Sequence, residues 1–165
     1  MKTNSILLFS TTPEVEKRFV FSPEVIYKAL DDGKIKIKDI VHIKQIWIVN
    51  GEKYTGRIRQ TDELIPKGVT TYEHTIKYHI TKDMDYEVTT ELTEKDFSLI
   101  QKIFKDVPTQ QKTRARVIDV SGEYEEYIIT VDFPEDKKDE CWVEFEHKDG
   151  KRGVKFEKPS WLKKS

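Results

Sequence analysis

Apolar and polar residues alternate along most of this chain, and two stretches with helical spacing interrupt the alternation. Period-2 alternation marks strands with two unlike faces, so the pattern predicts an α+β, mainly β fold: an antiparallel sheet with helices packed outside it. Eight runs read as strands: 14–21, 41–50, 54–60, 69–80, 85–91, 112–120, 124–132 and 141–147. Eight strands are enough to close a β-barrel. Asn50-Gly51 and Ser121-Gly122 fall between runs, where tight hairpins need residues that tolerate positive φ. A first helix is expected from Pro23 to about Asp31, with Ser22 as N-cap and Gly33 just past its end. A second is expected after Thr93 as N-cap, with Phe97, Ile100 and Phe104 on one apolar face. No repeat, linker or low-complexity block divides the sequence, so a single domain over residues 1–165 is expected, with 1–12 and 159–165 peripheral.

Charge sharpens this picture. Charged residues make up 36% of the 165, yet 29 Lys and Arg against 30 Asp and Glu leave a formal net charge of −1. That balance argues against a broadly basic surface for nucleic acid or anionic membrane. The single Cys141 pairs with no other cysteine, and the four histidines lack zinc-ligand spacing. The apolar run Ile6–Phe9 is too short for a signal-peptide core or a membrane span. A soluble cytoplasmic protein is expected. His147, at a strand end, reads as solvent-exposed, and Cys141 as a small strand residue without a histidine partner.

The informative feature is the company the charges keep. Val15 and Phe19 alternate with Glu14, Glu16 and Arg18, and Val143 and Phe145 alternate with Glu144 and Glu146. If the helices cover the apolar face, a closed sheet must turn the charged face inward. One buried sign alone would be prohibitive, so the inward set must be balanced or filled by ions and a charged ligand. On this assumption the acidic set is Glu14, Glu16, Asp85, Glu87, Asp132, Glu144 and Glu146. The basic set is Arg18, Arg57, Arg59, Lys77, Lys112, Arg114 and Arg116. Paired carboxylates suit hard divalent cations, and arginine forks and lysines suit phosphate oxygens. Together they describe a metal and polyphosphate site.

In order along the chain, these residues resemble the strand motifs of the CYTH superfamily, the triphosphate tunnel metalloenzymes. Glu14-Val15-Glu16-Lys17-Arg18-Phe19 resembles the opening E-x-E-x-K signature. Gln45-Ile46-Trp47, Arg57-Ile58-Arg59 and Thr75-Ile76-Lys77 resemble Q-x-Y, R-x-R and T-x-K. Asp85-Tyr86-Glu87, Lys112-Thr113-Arg114, Asp132, Glu144-Phe145-Glu146 and Pro159-Ser160-Trp161-Leu162 follow in family order. The resemblance implies an eight-stranded antiparallel closed barrel, the triphosphate tunnel. It also implies Mg²⁺ or Mn²⁺ as cofactor and cleavage of the terminal phosphate of inorganic tripolyphosphate or of a nucleoside or thiamine triphosphate. By position, Glu14, Glu16, Glu144 and Glu146 would ligate metal with Asp132 assisting. Arg18, Arg57, Arg59, Lys77, Arg114 and Arg116 would grip phosphates. Lys112 would activate water, with Glu14 and Glu16 the catalytic carboxylates, and Gln45, Trp47, Asp85 and Glu87 would complete the tunnel. The implied partner is a small triphosphate, with no membrane, no nucleic acid except an RNA 5′-triphosphate, and a monomer or homodimer.

Two positions depart from the pattern. Arg18 stands where the family has lysine and cannot serve as a titratable base. Trp47 stands where the family has tyrosine and offers a flat face that could stack on a base. A non-catalytic nucleotide or polyphosphate binder and a class IV-type adenylyl cyclase are the alternative readings.

Overall fold

The computed structural model describes residues 7–9, 14–150 and 155–163. In chain order these form β1 (Leu7–Phe9), β2 (Glu14–Phe21), α1 (Pro23–Asp31), β3 (Ile35–Asn50), β4 (Tyr54–Ile65), β5 (Lys67–Thr81) and β6 (Met84–Leu92). There follow α2 (Glu94–Ile103), β7 (Gln110–Asp119), β8 (Tyr127–Pro134), β9 (Cys141–His147) and a 3-10 turn, Ser160–Leu162. Eight of the strands, each antiparallel to its neighbours, close in the order β6-β2-β9-β8-β7-β3-β4-β5, and β5 returns to β6. The seam between β2 and β6 is short: Glu14 opposes Asp85, Val15 opposes Met84, and the Glu16 N–H donates to the Asp83 carbonyl at 3.1 Å. Farther along the same edge of β6, β1 pairs Leu7 with Thr90 through Phe9 with Val88. β1 lies within the segment expected to be peripheral.

The apolar core lies outside the barrel wall. Cys141, Val143 and Phe145 of β9, Ile129 and Val131 of β8 and Ala115 and Val117 of β7 pack with Ile26 and Ala29 of α1 and with Leu162. A second cluster joins Ile46 of β3 and Ile58 of β4 to Phe97 of α2. Because side chains alternate across a strand, burying these residues outside sends their charged neighbours inside. α1 begins at Pro23 after Ser22, and Gly33, at φ +67°, takes the left-handed conformation just past its end. α2 is capped by Thr93, whose hydroxyl accepts the Asp96 N–H at 3.1 Å. Among the described residues no helix is long and apolar enough to cross a membrane.

Several boundaries differ from the sequence pattern. β3 begins at Ile35 rather than Val41, because register shifts against β7 between Ile37 and Asp39 break the period-2 phase. β4 and β5 extend to Ile65 and back to Lys67, through Asp62 and Glu63, which are poor strand formers. β8 runs from Tyr127 to Pro134 rather than 124–132. The segment before it is held by Tyr124, whose carbonyl accepts the Tyr127 N–H and whose hydroxyl donates to the Glu157 carbonyl at 2.6 Å. Gly122 has the expected positive φ, +81°, whereas Gly51 does not; its N–H instead donates to the Tyr54 carbonyl at 2.8 Å.

Candidate functional site

Inside the barrel lies a cavity of about 530 Å³ whose wall is divided by charge. Three adjacent strands carry six of its carboxylates: Asp85 and Glu87 on β6, Glu14 and Glu16 on β2, and Glu144 and Glu146 on β9. The opposite arc carries Lys112 and Arg114 on β7, Arg57 and Arg59 on β4 and Lys77 on β5, with Gln45 and Trp47 of β3 between them. Arg18, on the acidic arc, is ion-paired to Glu144 at 2.5 Å. Lys77 reaches the other way, to Glu14 at 3.1 Å and Glu87 at 3.4 Å.

Each cation of the basic arc is held differently. Arg114 donates through Nε at 2.7 Å and Nη2 at 2.9 Å to the two oxygens of Asp132, and Lys112 Nζ donates to the same carboxylate at 2.6 Å. Asp132 is 0% exposed and is held down near 2: Arg114 and Lys112 outweigh the upward push of burial. Burial, only partly offset by Asp132, lowers the Lys112 ammonium to about 8. Arg59 donates through Nε at 2.9 Å and Nη2 at 2.7 Å to Gln45 Oε1. Burial and the neighbouring Arg57 and Arg114 bring Arg59 down to about 9, so it stays charged at neutral pH. Arg57 is 8% exposed, lies 5.6 Å from the Trp47 ring centre, and has no hydrogen-bond partner at Nε. A nearly buried guanidinium in the cavity wall, with a donor the protein leaves unmatched, suits an anion.

The acidic arc shows the converse. Burial, with Glu87 and Glu146 nearby, raises Glu14 to about 8 despite Lys77. Burial and Glu144 raise Glu16 to about 7. Glu146 is raised mainly by burial. Glu87 and Glu144 move down despite burial, Glu87 through the hydrogen bond from Glu14 and Glu144 through Arg18 and Arg114. Neighbouring carboxylates therefore share protons, the state that a bound cation relieves. Among the described residues no three of His, Cys, Asp and Glu are grouped as a metal cage.

Fourteen of the residues singled out in the sequence line this cavity: Glu14, Glu16, Arg18, Gln45, Trp47, Arg57, Arg59, Lys77, Asp85, Glu87, Lys112, Arg114, Glu144 and Glu146. Two do not. Asp132, expected to assist in metal binding, sits behind the lining with both oxygens committed to Arg114 and Lys112, because the β7–β8 register places it opposite Arg114. Arg116 shares the parity of Arg114 but stands beyond the cavity, 48% exposed, with Nη2 paired to Asp39 at 2.5 Å. The irregular stretch of β3 brings Asp39 opposite it. Thr55, Glu73, His79, Lys82 and Asp83 line the cavity as well. Glu73 and His79 continue the parity of Thr75 and Lys77, a signal the alternation contained; His79 Nδ1 lies 2.6 Å from Asp85 Oδ1. His147 is buried rather than exposed, edge-on to the Tyr127 ring at 5.2 Å and facing away from the cavity beside Phe145. Cys141 is buried in the outer core, and burial raises its thiol to about 11.

No protein-family model matches the chain, and no curated protein matches its sequence. Solved structures do match its fold. A protein from Pyrococcus horikoshii superposes with a TM-score of 0.59 at 19% identity, over 81% of this chain and 77% of that one. A conserved hypothetical protein from Pyrococcus furiosus gives 0.58 at 18% identity over the same shares. A Bacillus halodurans protein described as a "putative adenylate cyclase" gives 0.53 at 15% identity, over 83% of this chain and 81% of that one. The closed eight-stranded barrel is thus a fold this chain shares with those proteins.

Proposed function

We propose that the cavity binds a triphosphate along its basic arc and a divalent cation, Mg²⁺ or Mn²⁺, along its acidic arc, and that the protein hydrolyses the terminal phosphate. The observation that carries this reading is the concentration of carboxylates on β6, β2 and β9 and of cations on β7, β4 and β5 around one cavity inside the barrel. The order of the CYTH-like motifs and the Bacillus halodurans neighbour support it.

The residues present fit a hard divalent cation. Mg²⁺ is commonly held by one or two carboxylates together with substrate phosphates and water rather than by an all-protein cage. Glu14 and Glu16, with Glu144 and Glu146, offer carboxylate oxygens on two adjacent strands lining the cavity. Such an ion supplies charge neutralisation at the phosphates and an acidified water.

The chain's own residues do the rest. Arg57, Arg59, Arg114 and Lys77 orient the phosphate chain and stabilise the charge that develops as the terminal bond breaks. Arg114 is pinned by Asp132 and Arg59 by Gln45, so they present fixed donors that need not reorganise. Lys112 Nζ, lowered to about 8 and held by Asp132, can take up and release a proton near neutral pH.

Tripolyphosphate, ATP, GTP and thiamine triphosphate, each with Mg²⁺ or Mn²⁺, form the test panel. Hydrolysis predicts orthophosphate release that Glu144→Ala abolishes. Cyclic AMP with pyrophosphate from ATP would assign a cyclase instead. Metal-dependent binding without turnover would assign a non-catalytic binder.

A further inference from the structure

We propose that Gln110, which does not line the cavity, is a positioning residue that holds Arg59 and the Trp47 platform of Arg57 through one shared oxygen, and so sets how tightly the basic arc grips an anion. This rests on the anion-binding reading above.

Gln110 is the first residue of β7 and lies opposite Gln45 of β3 in the sheet register. Its Oε1 accepts from Gln45 Nε2 at 2.5 Å and from Trp47 Nε1 at 3.3 Å. The direction of every bond in this relay is fixed by the chemistry of its ends. A guanidinium only donates, so the atom of Gln45 facing Arg59 is its carbonyl oxygen, and its amide nitrogen must face Gln110. An indole N–H also only donates. Gln110 must therefore present its oxygen to both, and that oxygen's two lone pairs are the termini of both branches.

Each branch ends on an arginine of the cavity wall. On one, Gln45 Oε1 holds Arg59 against the repulsion of Arg57 and Arg114. On the other, the Trp47 ring, fixed by its N–H, supports Arg57, a residue of the cavity wall whose buried Nε has no hydrogen-bond partner. Without the Gln110 oxygen, buried Gln45 and the half-buried indole would each leave a donor unmatched and could turn away. The two guanidinium groups would then have to be ordered by the ligand itself, which weakens binding. Trp47 acts on this view as a support for Arg57.

The test is calorimetric titration of the full chain with tripolyphosphate and Mg²⁺, with nuclear magnetic resonance of the indole N–H groups alongside. Gln110→Met, which keeps length and removes the acceptor, should weaken binding about tenfold. Trp47→Phe keeps a smaller ring beneath Arg57 and removes the N–H together with the five-membered ring that carries it; it should weaken binding about threefold and add little in the double variant. In Gln110→Met the Trp47 indole resonance, identified by its absence in Trp47→Phe, should move while those of Trp142 and Trp161 stay. Wild-type affinity in Gln110→Met, or an unmoved Trp47 indole signal, overturns the proposal. If Gln110→Met does not fold, wild-type affinity in Trp47→Phe overturns it. If the wild-type protein binds no tripolyphosphate, it is the anion-binding reading that has failed, whatever the indole signals do.

Discussion

Arg114 and Asp132 form a bidentate pair within the barrel wall, Nε to Oδ1 at 2.7 Å and Nη2 to Oδ2 at 2.9 Å, with the carboxylate wholly buried. Lys112 shares the same carboxylate, so one buried anion compensates two cations. Removing one partner of such a cluster strands the others in a low-dielectric interior. Asp132→Asn should therefore lower stability by about 3–5 kcal/mol, read as the midpoint of a urea transition. A change below about 1 kcal/mol would mean that water reaches these groups freely.

Arg57 makes the opposite prediction. Its Nε is buried without a hydrogen-bond partner in the protein, so burial of this charge is incompletely compensated. Arg57→Met should raise the melting temperature by a few degrees. The same change should lower affinity for tripolyphosphate roughly 10- to 100-fold, the worth of a charge-assisted hydrogen bond. Loss of both stability and binding would show that the carboxylates of Glu87, Glu73 and Glu14 already compensate the residue.

The carboxylates of β2 set a pH dependence. Glu14 and Glu16, raised to about 8 and 7 from 4.5, hold protons in the folded state that the unfolded chain releases. A raised acid contributes stability in full below the unfolded pKa and loses it as pH climbs through the folded one. The melting temperature of metal-free protein should thus fall between about pH 5 and pH 8. Mg²⁺ should flatten the decline, since a cation replaces the protons. Lys112, lowered to about 8 from 10.5, acts only above pH 8 and in the other direction. Differential scanning calorimetry across pH 5–8, repeated on Glu14→Gln with Glu16→Gln, checks this. A slope that survives the double substitution would assign it elsewhere.

Cys141 supplies a probe of the wall itself. It is fully buried in the outer core, and burial raises its thiol to about 11. At pH 8 it should resist a thiol reagent in the native protein and react only on unfolding. Prompt labelling under native conditions would contradict the packing of α1 against β9.

The inward turn of the charged rows was legible because the intervening Phe19, Val143 and Phe145 needed cover, and two amphipathic helices were available to give it. Parity then assigns Glu14, Glu16, Arg57, Arg59, Lys77 and Arg114 to one surface. Parity cannot say how far along a strand the cavity extends, so Arg116 was grouped with Arg114 although it lies beyond the end. Nor does it say which charges spend themselves on each other: Asp132 faces inward by pattern and is consumed by the cations it positions. The irregular register at the start of β3 dephases the alternation and hides Ile35–Ile40. Gln110 and Glu73 continue inward rows that the sequence pattern revealed only in part, Gln110 because it bears no charge.

The most direct test of the central claim is ³¹P magnetic resonance of tripolyphosphate incubated with the protein and Mg²⁺ or Mn²⁺. The account predicts that its resonances give way to those of pyrophosphate and orthophosphate, and that Glu144→Ala stops the conversion. Tripolyphosphate left unconverted by the wild-type protein with either metal would contradict it.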